Sequence, residues 1–197
     1  MGCMSTNSDR PDYVDPRFPG PDPYAALGDH PTFPLSSTDF NNGDKFGPGI
    51  VATEDNPGLS PQLSWSNLPE GTKSIAITCL DPDAPTGSGY WHWAVFNIPV
   101  EVNELPTGAG STAALERISS VDGAEHIVTL KGDSGLRQYF GPMPPSGHGP
   151  HRYLFAVHAV DVETLDIDPD ATPTVLGFNL YFHTLARSIA WGWYEND

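Results

Sequence analysis

Basic residues are scarce in this chain. Nine Lys and Arg stand against 25 Asp and Glu, giving the 197 residues a formal net charge of −16. A nucleic-acid backbone is held by a basic surface, so nucleic acid is excluded as a partner, and an anionic membrane would be repelled. The acidity reads as a solubility feature rather than an acidic binding face. Cysteine is nearly absent. Cys3 and Cys79 make neither a disulfide framework nor a metal set, and Cys79, inside an apolar run, reads as a small core residue. Long apolar runs are missing too, and nothing approaches the roughly 18 residues of a membrane span. The N-terminus, MGCMSTNSDR, has no apolar leader segment, and the acidic stretch after Gly2-Cys3 does not suit a lipidation start. The expected location is the cytoplasm. No phosphate-binding glycine loop, dinucleotide fingerprint or G-x-S-x-G elbow occurs, and Ser60, Ser64 and Ser66 lie near no obvious base. Neither a cofactor nor a catalytic nucleophile is expected.

Gly and Pro are plentiful, at 20 and 21 residues, which predicts many turns and short strands. Residues 1–30 (including PDYVDPRFPGPDPYAALGDH) are rich in Pro, Asp and Gly and predict a flexible arm, with a helical turn at PYAAL that docks on the domain. Residues 31–197 read as one domain. Strands are expected around Phe33, Leu35 and Phe40, at LSWS from Leu63, over 73–80 (KSIAITCL), over 91–98 (WHWAVFNI), in short pieces within 117–131, and over 153–162 (YLFAVHAVDV). Residues 99–110 read as a loop. Tyr153 to Val160 is apolar at both parities except His158, which suits a central strand buried on both faces. One helix is expected late. Thr172 can cap it, Pro173 suits its first position, and Leu176, Leu180, His183 and Arg187 follow at helical spacing. A final short strand is expected at Trp193 and Tyr194, after Gly192. The class is mainly β, with one or two peripheral helices.

Three stretches place polar groups at the ends of apolar strands. They are DPDAP (Asp81 to Pro85), His92 just inside the aromatic strand, and GPMPPSGHGPHRY, which carries Gly141 to His151 and Tyr153. Prolines stiffen such loops, glycines let a ligand approach the backbone, and histidines supply donors and charge. Each stretch alone has a plain structural reading. Asp-Pro-Asp is a turn held by its own side chains, and His92, like His158 and His183, is a satisfied core or surface histidine. His148 and His151 have H-x-x-H spacing, but they lie in a Pro/Gly loop with no further ligands, so a metal is not expected. Asp81 and Asp83 could serve as an acid/base pair only if both reached one pocket, and one is expected to.

Taken together, in this order and spacing, DPDAP, WHW (Trp91 to Trp93) and GPMPPSGHGPHRY resemble the phosphatidylethanolamine-binding protein family. The match is nearest its bacterial, Raf-kinase-inhibitor-like branch, and SPQLSW from Ser60 and LGFNL from Leu176 are similar to that branch as well. The resemblance covers residues 32–194. It implies a β-sandwich of two antiparallel-rich sheets with a small anion pocket at one end. Asp81, His92, Gly141, His151 and Tyr153 would bind the ligand, with Asp83, Pro85, Tyr90 and Met143 supporting the pocket. It also implies a cis Ala84–Pro85 bond and a homodimer. Met143 and Tyr90 depart from what many relatives carry. The expected function is a non-enzymatic binder of phosphate or a phosphorylated head group such as phosphorylethanolamine, with a kinase or protease as a possible regulated partner. The alternative is a hydrolase or lyase using an Asp/His pocket as acid and base. On the binding reading, His92 and His151 supply anion-facing donors, Asp81 orients them or keeps them charged, and affinity falls as pH rises.

Overall fold

The computed structural model describes residues 10–111 and 122–197. Cys3 and the part of the 117–131 segment up to Val121 lie outside the described residues. In chain order the strands are β1 (Leu35–Ser36), β2 (Asp44–Lys45), β3 (Leu63–Trp65), β4 (Ser74–Asp81), β5 (Tyr90–Pro99) and β6 (Glu104–Leu105). A 3-10 turn (Ala124–His126), β7 (Val128–Thr129), β8 (His151–Val160), helix α1 (Pro173–His183) and β9 (Thr184–Tyr194) follow. They form a three-stranded sheet, β1-β3-β6, and a six-stranded sheet, β2-β9-β8-β4-β5-β7. Every pairing is antiparallel except β2 with β9. The expected mainly-β sandwich with a late helix is what the chain adopts.

The large sheet is buried on both faces, and period-two alternation sorts its side chains. Ile75, Ile77 and Cys79 of β4, with Phe155 and Val157 of β8 and Trp93 and Val95 of β5, pack inward against Leu63, Trp65 and Leu105 of the small sheet. The intervening residues face outward. Ala76, Ala94, Phe96 and Val160 lie under Leu176 and Leu180 of α1. Leu154, Ala156 and Trp191 lie under Tyr13, Phe18 and Tyr24. This second cover comes from the N-terminal arm. From residue 10 the segment is laid across β8 and β9, because its three aromatics supply apolar area that the outer face of the sheet requires. Each such burial is worth roughly 1.5–3 kcal/mol. The turn expected at PYAAL is present, closed by Leu27 N donating to Tyr24 O at 3.0 Å.

The arm is also pinned by one side chain. Arg152 is 1% exposed, yet each of its guanidinium nitrogens is hydrogen-bonded. Its Nε and Nη2 reach Asp83 Oδ2 and Oδ1 at 2.8 and 2.9 Å, Nη1 reaches Tyr13 O at 2.8 Å, and Nη2 reaches Gly20 O at 2.9 Å. Gly20 N donates in turn to Asp83 Oδ1 at 2.6 Å. A side chain at Gly20 would collide with the Pro82 carbonyl, so only glycine lets the arm come this close.

Three expectations need correction. The helix stops at His183, so Arg187 lies on a strand. Ala186, Ser188 and Ala190 are buried while Arg187 and Ile189 are half-buried, and this alternation carries β9 through Gly192 to Tyr194 as one long strand. The 99–110 loop contains the short strand β6. No cis peptide occurs among the described residues, so Ala84–Pro85 is trans.

Two predictions follow from these burials. Arg152→Met leaves the Asp83 carboxylate buried and unpaired and is expected to cost roughly 3–5 kcal/mol in urea unfolding, with new protease sensitivity in the arm. Adding Asp83→Asn should recover part of that loss, and a cost no larger than that of a surface substitution would contradict the role of the pair. His158 lies buried on the outer face of β8, where desolvation pushes its pKa from 6.5 down to about 3, helped by Arg187 and His30. A depressed pKa means that stability is complete above pH 6.5 and is lost as pH falls toward about 3. His158→Gln should flatten the fall of Tm between pH 6 and pH 4.

Candidate functional site

The ends of β4, β5 and β8 meet at one edge of the large sheet. Asp81 is the last residue of β4, on the same inward face as Cys79 and Ile77. His151 opens β8 two residues before Tyr153, so both face inward. Leu80 pairs with Leu154, which brings the two strand ends side by side. Asp81 Oδ2 accepts from His151 Nδ1 at 2.7 Å, and Asp81 Oδ1 accepts from Asp83 N at 2.8 Å.

His92 reaches the same place by a break in register. Cys79 pairs with Trp93, but Leu80 pairs with Trp91, so His92 is the extra residue of a β-bulge. Regular alternation would turn it away from Trp93's face, and the bulge re-aims it. The bulge is held from the far side, where Trp91 N donates to Asp133 Oδ2 at 2.7 Å and Asp133 N to Trp91 O at 2.9 Å. The His92 ring stands 5.0 Å from Tyr153, edge to face, and 4.8 Å from Tyr90.

Proton positions follow from the partners. His92 Nδ1 lies 2.6 Å from the Phe140 carbonyl, which can only accept, so Nδ1 carries the proton. The ring is buried, and desolvation pushes its pKa below 6.5, with Asp81 and the Phe140 carbonyl pulling the other way. Neutral His92 therefore keeps Nε2 as an acceptor. Burial drives the Tyr153 pKa far up, with Asp81 adding to the effect, so its hydroxyl stays protonated. That hydroxyl is buried and has no hydrogen-bond partner. His151 donates to Asp81 through Nδ1, while its Nε2 sits 2.8 Å from Nδ1 of the exposed His148. That gap holds one proton, so Asp81, His151 and His148 form a proton-sharing chain from the buried carboxylate to the surface.

The structure thus brings together Asp81, His92, His151, Tyr153 and Tyr90. Gly141 lies directly behind Phe140, donating from its N–H to Pro57 O at 2.7 Å. A side chain there would strike the Ile50 carbonyl. Asp83 does not join this cluster. Two residues beyond Asp81 it would share that face in a regular strand, but β4 ends at Asp81 and the turn sends Asp83 outward to Arg152. Asp81 and Asp83 therefore do not form an acid/base pair in one pocket. Pro85 and Met143 are exposed on their loops. Among the described residues no group of three or more His, Cys, Asp or Glu is disposed to hold a metal. Sequence reasoning missed Phe140 and the linking role of His148. It also missed Arg152, although a cation between His151 and Tyr153 in an apolar strand signals a buried ion pair.

Residues 36–195 match the sequence profile of the family described as phosphatidylethanolamine-binding protein. The UPF0098 protein YbhB of Escherichia coli (strain K12) is 43% identical over 157 residues, covering 78% of this chain and 94% of YbhB. Among solved structures, E. coli YbcL, described as a member of the mammalian PEBP family, has a TM-score of 0.75 at 36% identity, covering 84% of this chain and 99% of YbcL. A Chlamydia trachomatis PEBP homologue has a TM-score of 0.67 at 28% identity, covering 84% of this chain and 99% of its own. The chain belongs to the phosphatidylethanolamine-binding protein family.

The proton assignment at His92 is directly testable. Long-range proton–nitrogen NMR spectra at pH 7 should show His92 neutral and protonated at Nδ1, titrating below pH 6.5. A charged His92 at pH 7, or the Nε2 tautomer, would contradict the geometry.

Proposed function

We propose that the chain is a non-enzymatic binding protein that takes a phosphate or a phosphorylated head group at the Asp81–His92–His151–Tyr153 cluster. The observation that carries this reading is the pairing of a buried, unpartnered Tyr153 hydroxyl with a His92 ring aimed by a bulge and bonded through Nδ1 to Phe140. An anionic oxygen between them accepts from Tyr153 and requires a second donor. His92 becomes that donor by taking a proton at Nε2. Anion binding therefore takes up a proton, and ligation raises a pKa that is depressed in the free protein. Asp81 cannot attract an anion by charge. Its contribution is to orient His151 and to favour the charged form of His92. Pro85, Tyr90 and Met143 line the approach on this reading. A homodimer and a regulated kinase or protease are compatible with it.

The sign of the pH dependence follows. Between the free and ligated pKa values of His92, affinity falls by up to about tenfold per pH unit as pH rises. Calorimetric titration of sulfate, whose own charge is constant from pH 5 to 8, should give tighter binding at pH 6 than at pH 8. Phosphate and phosphorylethanolamine are titrated alongside. His92→Asn should abolish the pH dependence, and Tyr153→Phe should weaken binding by roughly tenfold. Binding unaffected by either substitution would overturn the reading.

The Asp81–His151–His148 chain favours a second reading, in which His151 works as an acid or base in a hydrolase or lyase. Turnover of p-nitrophenyl phosphate that is lost in His151→Ala would put that reading first.

A further inference from the structure

The outer face of the large sheet holds a cavity of about 590 Å³ that the cluster above does not use. It lies between the docked arm, the sheet and α1, within the roughly 300–1,000 Å³ typical of small-molecule sites. Leu80 and Trp91 contribute from the sheet. On the helix side Phe178 and Tyr181 line it while remaining 67% and 55% exposed, an unusual state for large apolar rings. Leu27 closes the arm side.

One end of this apolar space is polar. His158 of β8 pairs across the sheet with Arg187 of β9, and both line the cavity. His158 is 5% exposed, its Nδ1 is bonded to Thr184 Oγ1 at 3.1 Å, and among the described residues no group bonds its second nitrogen. The Arg187 guanidinium lies 4.6 Å over the Tyr24 ring. The Tyr24 hydroxyl is buried and approaches Thr78 without reaching hydrogen-bonding geometry. Arg17, Arg137 and Arg152 are each paired with an aspartate, whereas among the described residues Arg187 is in no ion pair. Asp12, Asp22 and Asp29 line an adjoining cavity that shares Tyr24, His30 and Arg187 with this one, and none of them is within ion-pair distance of Arg187. A half-buried arginine without a carboxylate stands out in a chain with 25 acidic residues.

We propose that this cavity binds a small amphiphilic carboxylate, with its apolar body between Leu80, Trp91 and α1 and its carboxylate on Arg187. A cationic ligand is opposed by Arg187. A purely apolar one would leave the guanidinium and the Tyr24 hydroxyl desolvated and unpaired, which costs more than the apolar contact returns. A carboxylate matches the planar fork of the guanidinium and can accept from Tyr24 as well.

The probe is dodecanoate below its micellar concentration, titrated by calorimetry into the full chain at pH 7.5. Dodecanol and inorganic phosphate serve as comparison ligands. Dodecanoate should bind, dodecanol should bind more weakly, and phosphate should not compete. Arg187→Gln should weaken dodecanoate by roughly tenfold or more, the loss of one charge-assisted hydrogen-bonded pair. Gly177 lines the cavity, and a Cβ there meets nothing within 4 Å. Gly177→Leu should therefore fill the space, fold with a raised Tm and lose dodecanoate. His92→Asn should leave dodecanoate binding unchanged, which separates this site from the phosphate site. The proposal is overturned if dodecanoate does not bind, or if it binds undiminished to Arg187→Gln or Gly177→Leu. It is equally overturned if dodecanol matches dodecanoate, or if His92→Asn abolishes binding.

Discussion

The buried pair between Asp83 and Arg152 is the contact on which the rest of the structure depends. Both side chains are essentially inaccessible, and burying two charges costs several kcal/mol before any bond forms. That cost is offset because the groups satisfy one another and the chain around them. Asp83 accepts from the Arg152 backbone and side chain and from Gly20, and Arg152 also donates to the Tyr13 and Gly20 carbonyls. The pair therefore joins three segments that are distant in sequence: the turn after β4, the start of β8, and the arm. Fixing the turn after β4 against the start of β8 also fixes Asp81 beside His151. Fixing the arm covers the outer face of β8 and β9 and builds one wall of the second cavity.

The two candidate sites use opposite faces of the same strands. On β4, Asp81 points inward and Thr78 and Leu80 outward. On β8, His151 and Tyr153 point inward while Arg152, Leu154 and His158 point outward. A central strand buried on both faces can serve two polar environments only if each is desolvated differently. On the inner side a carboxylate opposes the loss of charge at His92. On the outer side Arg187 reinforces desolvation at His158. The same residue type is thus held neutral on both faces, against an opposing carboxylate on one and with a reinforcing guanidinium on the other.

Much of this was legible in the sequence, and the limits have physical reasons. β4 and β8 were readable because uninterrupted apolar runs admit few other structures. The helix start was readable from Thr172 and Pro173, and its end was not. LARSIAW carries a helical spacing of apolar residues and a strand alternation at once, and pairing with β8 decides between them. The site residues Asp81, His92, His151 and Tyr153 were named through the family resemblance. The device that aims His92 was invisible, because a bulge is a property of two strands in register. The docked arm was concealed by composition. Its Pro, Asp and Gly suggested disorder, although Tyr13, Phe18 and Tyr24 were available to cover an outer face that a doubly apolar β8 demands.

On the proposed reading, a protein of net charge −16 holds anions and must do so over short distances. Screening confines the repulsion of surface carboxylates to about 8 Å at physiological ionic strength, so local donors decide the outcome. At His92 the proposed uptake of a proton with the anion goes further. Charge and counter-charge enter together, and the buried cluster, already carrying Asp81, is spared a second unbalanced negative charge. A permanently charged lysine or arginine at that position would instead pair with Asp81 in the absence of ligand, and the anion would have to break that pair to bind. A neutral histidine held by a backbone carbonyl avoids the competition. On the proposed reading it presents no charge to Asp81 until the anion arrives, and Asp81 then helps to stabilise the charge that forms.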